Sequence, residues 1–115
     1  MAEDRDLLRG NIPTLILAVV SEAPLYGLAI AREINQRGNN ALQLKQGTLY
    51  PALHALERDG WISGEWEILE GERPRKIYTI TAAGTVELER RMRAWKQFAA
   101  AMESVTRNKR REQPA

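Results

Sequence analysis

The chain has 115 residues, 43% of them apolar and 28% charged, with a formal net charge of +2 and no cysteine. That length supports one folded domain with at most an appended arm, and it leaves too little interior for a deep catalytic cleft beside a core. The lack of cysteine excludes disulfides and thiolate metal sites, while the weak positive charge permits an anionic partner without requiring one.

Ile12, Leu15, Ile16, Val19 and Val20 recur at helical spacing and predict a first helix, with Asn11 as its cap and Pro13 in its first turn. The run from Ile12 to Val20, followed by Ser21-Glu22-Ala23, has the outline of a secretory leader. Glu3, Asp4 and Asp6 outweigh Arg5 and Arg9 ahead of it, however, which is the wrong charge for a leader. The run is also shorter than the ~18–20 apolar residues that span a bilayer. It reads as a buried helix, and no membrane segment is expected.

A second helix is predicted over residues 26–37, with Ile30 and Ile34 inward and Gly38 as a left-handed stop. Leu42 and Leu44 flank Gln43 as a very short strand. The next helix carries Leu49, Leu53 and Leu56 on one face. With Thr48 as its cap, Pro51 falls in the first turn, where a missing N–H is harmless. Beyond Gly60 the period drops to two: Ile62, Gly64, Trp66 and Ile68 alternate with Ser63, Glu65 and Glu67. A turn over 70–74 and a second strand over 75–80 complete a hairpin with a charged tip. Thr81 caps a last helix starting at Ala82. Its Leu88, Met92, Trp95, Ala99 and Met102 are spaced 4, 3, 4, 3, as in a coiled-coil seam that a second copy would cover. In the tail, Arg107, Lys109, Arg110 and Arg111 against Glu112 give a net +3, leaving −1 for the rest of the chain.

Three helices, a two-stranded hairpin and a long final helix make a mainly α chain with a small β-hairpin, the order of a winged helix-turn-helix. The division predicted is a DNA-binding domain over 1–81, a dimerisation helix over 82–106 and a basic, disordered tail over 107–115. In this plan the third helix enters the major groove and the hairpin touches the backbone or minor groove. Tyr50 and His54 lie four residues apart on the face opposite the leucines, with Lys45, Gln46 and Thr48 at the N-terminal end, where side chains reach bases and amides meet phosphate. Alone, such a face is merely solvated. Arg73, Arg75 and Lys76 form a basic cluster at the hairpin tip, a candidate for backbone contact, although Glu65, Glu67, Glu70 and Glu72 surround it. His54 is the single histidine, no glycine-rich phosphate loop occurs and the carboxylates are scattered, so no catalytic residue, metal or cofactor is expected.

The stretch Gly47-Thr48-Leu49-Tyr50-Pro51-Ala52-Leu53, followed by Leu56-Glu57 and Gly60-Trp61-Ile62, resembles the recognition-helix signature of PadR-type transcriptional regulators. Arg73-Pro74-Arg75-Lys76 with Tyr78, Thr81 and Gly84 resembles their wing, and Leu25-Tyr26-Gly27 resembles the opening of their second helix. The likeness spans residues 10 to 105, and the single C-terminal helix resembles the short subfamily. It implies a sequence-specific repressor of double-stranded operator DNA, released by a small-molecule effector and acting in the cytoplasm at the nucleoid. It also implies a homodimer formed by the last helix, Phe98 included, with help from Leu17 of the first, and it adds Tyr26 and Gly27 to the DNA-contacting set. Trp95 and Phe98 read either as packing anchors at that interface or as plates for a planar aromatic effector. Lys45-Gln46 stands where the family usually has Ser-Pro, and Ile77 where many members have an aromatic. The alternative is a winged-helix module for protein–protein contact without an operator, which the acidic stretch from Glu65 to Glu72 keeps open.

Overall fold

Ile12, Ile16, Leu17, Val19 and Val20 form one buried stripe on α1 (Ala2–Val20), the first element of the computed structural model, which describes residues 2–107. The stripe meets Ile30, Ala31 and Ile34 of α2 (Gly27–Arg37) and Leu49, Leu53 and Leu56 of α3 (Gln46–Arg58), so three helices share one core. Ile62 of β2 (Ile62–Glu67) and Tyr78 of β3 (Arg75–Ile80) belong to the same cluster. Each large apolar side chain withdrawn from water here contributes about 1.5–3 kcal/mol.

β2 and β3 pair antiparallel, from Ile62 opposite Ile80 to Glu67 opposite Arg75, as the period-two pattern predicts. Past Gly64 the strand leaves the core, and Trp66 and Ile68 are 65% and 75% exposed. A third strand, β1 (Leu25–Tyr26), pairs with β3 and gives the order β1-β3-β2. The short strand expected at 42–44 does not form. Instead the Asn35 amide Nδ2 donates to the Leu44 carbonyl at 3.0 Å, and the Leu44 N–H donates to Asn35 Oδ1 at 2.7 Å. These two bonds satisfy the Leu44 backbone and fix the turn between α2 and α3.

Several helix ends differ from expectation. α1 begins at Ala2, so Asn11 lies inside it and donates to the Leu7 carbonyl at 2.7 Å, and Pro13 is interior as well. The carbonyl that Pro13 leaves without a donor belongs to exposed Arg9. The cap of α3 is Lys45, not Thr48, which makes Pro51 the sixth helical residue and deprives the carbonyl of exposed Gly47 instead. Gly38 has φ −87°, and the left-handed residues of this connection are Asn39, Asn40 and Gln43. A Cβ at 38 would stand 3.1 Å from Leu42 Cδ1 and 3.3 Å from the Ile34 carbonyl oxygen, so Leu42 would have to give way slightly to admit one. Gly60, at φ +81°, does end α3 as expected.

The last helix, α4 (Ala82–Thr106), has 25 residues and buries only Gly84. The radius of gyration is 17.9 Å, against about 13 Å for a compact domain of this length, because the long helices run past the core. The joint is tight. The Thr81 hydroxyl accepts from the Gly84 N–H at 3.0 Å and donates to the Gly60 carbonyl at 2.7 Å, and the Thr81 N–H donates to the Trp61 carbonyl at 3.1 Å. Two helical turns beyond Gly84, the Arg91 guanidinium lies 5.2 Å from the Trp61 ring centroid. Glu87 accepts from Arg90 and Arg91, and the Arg90 hydrogen bond is the main reason its carboxyl is held down at about 2. The basic tail foreseen from residue 107 lies, from 108 onward, outside the described residues.

Candidate nucleic-acid interface

Burying Leu49, Leu53 and Leu56 forces the other side of α3 outward. Lys45, Gln46, Thr48, Tyr50 and His54 are all exposed, with Gly47 and Pro51 between them. The amides of Thr48 and Leu49 share the Lys45 carbonyl, at 3.0 and 2.9 Å, and no side chain caps the helix. Its first amides therefore remain available to an anion. The structure thus brings together all five residues expected on this helix.

Tyr50 is 39% exposed because its ring packs over the start of α2. A Cβ at Gly27 would lie 3.0 Å from both its Cε1 and its hydroxyl oxygen. Gly27, expected among the contacts, is buried beneath that ring. Tyr26, just before it, is half-buried and donates its hydroxyl to Glu67, which raises the tyrosine pKa.

The wing carries the three cations expected, in different settings. Arg75 stacks over the Tyr26 ring at 4.3 Å and lies 3.7 Å from Glu67 and 3.4 Å from Glu72. Lys76 donates to Glu57 of α3 at 2.9 Å, and this carboxylate raises its pKa. Arg73 is exposed and has no ionic partner among the described residues. Glu57 and Glu67 are the functional neighbours that sequence reading missed. Glu67 was within reach, since a hairpin centred on residue 71 sets it opposite Arg75. Glu57 leaves no local signal, being 19 residues from Lys76.

Along α4, Trp95, Phe98 and Met102 are 52%, 63% and 49% exposed, whereas Leu88, Met92 and Ala99 are partly covered. Leu17, expected beside them, is fully buried in the chain's own core and offers no surface. The apolar residues of α1 near α4 are instead Leu7, Leu8, Ile12 and Leu15, which with Met92 and Trp95 line an open groove of about 1020 Å³. Among the described residues no cluster of side chains suits a metal ion, and no helix is long and apolar enough to cross a membrane.

Known proteins share this arrangement. A transcriptional regulator of Mycobacterium tuberculosis, Rv3488, is 32% identical over 95 residues, covering 83% of this chain and 85% of its own length. A transcriptional regulator from Clostridium thermocellum superposes with a TM-score of 0.81 at 27% identity, over 88% of this chain and 95% of that one. A PadR family transcriptional regulator from Eggerthella lenta gives 0.80 at 28% identity, over 90% and 88%. Residues 16–90 match the sequence profile of the transcriptional regulator PadR-like family. With the winged helix in place and most of the chain covered, the protein belongs to the PadR-like family of transcriptional regulators.

Proposed function

We infer that this chain is a sequence-specific repressor of duplex DNA, with α3 seated in the major groove and the β2–β3 wing beside it on the backbone. The observation that carries this is the composition of the exposed α3 face: Lys45, Gln46, Thr48, Tyr50 and His54 point outward from a helix whose opposite face is fully buried. Apart from Tyr50, whose ring also rests on the start of α2, these side chains are open to a partner. They suit base edges and phosphates, and the uncapped N-terminus of the helix suits an anion.

The protein acts as a homodimer at the nucleoid, with Leu88, Met92, Trp95, Phe98, Ala99 and Met102 of α4 against the same helix of a second copy. Water is a poor solvent for Trp95 and Phe98 at their exposure, and a symmetric partner removes both from it. Two copies present two recognition helices, so a bound site has two related half-sites about one helical turn apart, ~34 Å. A planar aromatic effector stacking on Trp95 and Phe98 would release the DNA by changing how the two α4 helices pair.

The test is selection of a duplex from a random-sequence library by the full-length protein, followed by anisotropy titration of that duplex and a scrambled one from roughly 50 to 200 mM salt. Tighter binding of the selected duplex is expected, with log K falling linearly against log salt. Failure to enrich any sequence, with no salt-dependent binding, overturns the reading. It would favour the protein–protein alternative, which the exposed Trp66, Ile68 and Leu69 among Glu65 and Glu70 support.

A further inference from the structure

The wing's cations differ in what they would have to give up to meet a phosphate. The Lys76 ammonium is held by Glu57 at 2.9 Å, and the two side chains are only 23% and 31% exposed. It also lies 5.7 Å from the Trp66 ring centroid and 5.6 Å from that of Tyr78. The space it occupies exists because residue 64 is glycine: a Cβ there would stand 2.5 Å from Lys76 Cε and 3.2 Å from Glu57 Oε2. A carboxylate, two rings and a missing side chain thus converge on one ammonium group. Glu57 belongs to α3 and Lys76 to β3, so the pair ties the recognition helix to the wing. Arg75 is likewise matched in place, by Tyr26, Glu67 and Glu72. Arg73, at the exposed turn, has no such partners among the described residues.

We propose that the wing's charges divide by role: Lys76 is a positioning residue that fixes the wing's angle to α3, and the wing's phosphate contact falls to Arg73. This rests on the DNA-binding reading above. Moving Lys76 to a phosphate would strand the half-covered Glu57 carboxylate next to a polyanion, whereas Arg73 gives up only water. A phosphate contact strengthens binding to every sequence and adds to the salt slope. A strut does neither. It holds two reading elements in register, so its loss is felt on the preferred sequence.

The experiment is anisotropy titration of the full chain with the selected and scrambled duplexes across salt, with melting temperatures recorded for each variant. For Arg73→Ala the slope of log K against log salt is expected to lessen by about 0.9 on both duplexes, with the preference between them kept. For Lys76→Met the slope is expected to hold, while affinity for the selected duplex falls about tenfold and the scrambled one is bound as before. Gly64→Ala changes no charge but pushes out the end of Lys76, and it is expected to reproduce that loss of preference. Glu57→Gln combined with Lys76→Met is expected to cost no more than Lys76→Met alone. A slope reduced by Lys76→Met and untouched by Arg73→Ala overturns the proposal, as does Gly64→Ala binding like the wild type. Should Lys76→Met fold poorly, Arg73→Ala and Gly64→Ala decide the matter between them. A wild type with no salt-dependent duplex binding removes the DNA reading itself, an outcome visible before any variant is made.

Discussion

Gly84→Ala is the substitution for which the structure sets the sharpest expectation. A Cβ built on residue 84 would stand 2.0 Å from the Trp61 carbonyl oxygen, 2.9 Å from its carbon and 2.8 Å from Ile80 Cγ1. Ordinary contact between such atoms is about 3.5 Å, so α4 and the Gly60–Trp61 backbone must part by more than an ångström. The 3.1 Å bond from the Thr81 N–H to Trp61 and the 2.7 Å bond from the Thr81 hydroxyl to Gly60 both span that gap. Overpacking costs about 1–3 kcal/mol and each weakened hydrogen bond about 0.5–1.5, set against up to ~1 kcal/mol gained from replacing glycine in a helix. The net is a loss of about 1–6 kcal/mol, or at least roughly 5 °C in Tm for a chain of this size. Far-UV circular dichroism melts measure this, run at one protein concentration because association shifts Tm. Gly47→Ala is the control: it is also helical, nothing lies within 4 Å of its Cβ position, and its Tm is expected to hold or rise. If the two variants melt within about 2 °C of each other, the joint is not close-packed and the reasoning fails.

Three further outcomes are expected. Tyr50→Ala should weaken binding of the selected duplex by roughly 1–3 kcal/mol while moving Tm little, since the ring is 39% exposed; a large Tm drop with undiminished binding by the folded fraction would make it a core residue. Trp95→Ala should weaken the dimer by at least about tenfold in sedimentation equilibrium, as loss of an aromatic anchor does, and a wild type that is monomeric at micromolar concentration would refute the α4 seam. The Glu87 carboxyl sits at about 2 in the fold instead of 4.5, held there chiefly by Arg90 and then by Arg91. A lowered folded-state value means that the stabilisation is complete above about pH 5 and is lost as pH falls toward 2. Glu87→Gln should therefore flatten the dependence of Tm on pH in that window, and parallel curves for the two proteins would exclude this linkage.

The elements legible in the sequence are those whose pattern is set by burial over several residues. Leu49, Leu53 and Leu56 announce α3 because a helix with one buried face must repeat them at that spacing, and the alternation from Ile62 announces β2 for the corresponding reason. The exposed α3 face followed from the same fact, as the complement of the leucines. What was not legible depends on partners distant in sequence. Leu25–Tyr26 is a strand only because β3 offers it an edge, and two residues carry no period of their own. Residues 42–44 carry an alternation but no edge, because Asn35 takes up the Leu44 backbone. Leu17 is apolar at a position compatible with either core or interface, and only the packing of α1 on its neighbours assigns it to the core. The wing's ion pairs were hidden for the same reason: its acids and bases were visible, but their pairing follows from the hairpin register and from the nearness of α3.

The restraints found on α3 bear on what DNA binding costs. Its C-terminal half is tied to the wing through Glu57 and Lys76, and the chain just beyond its end is gripped by Thr81 and Arg91 at Gly60 and Trp61. At its other end, the approach is fixed by the two bonds between Asn35 and Leu44. Midway, Tyr50 rests on the start of α2 over Gly27. The helix is therefore oriented before any partner arrives, and only side chains such as Lys45, Gln46 and His54 remain to be ordered. Immobilising each such side chain costs about 0.5–1.5 kcal/mol, whereas ordering a loose recognition element would add the backbone cost of every residue in it, about 1–2 kcal/mol apiece. On the proposed reading, a recognition helix fixed at both ends and its middle meets only the first.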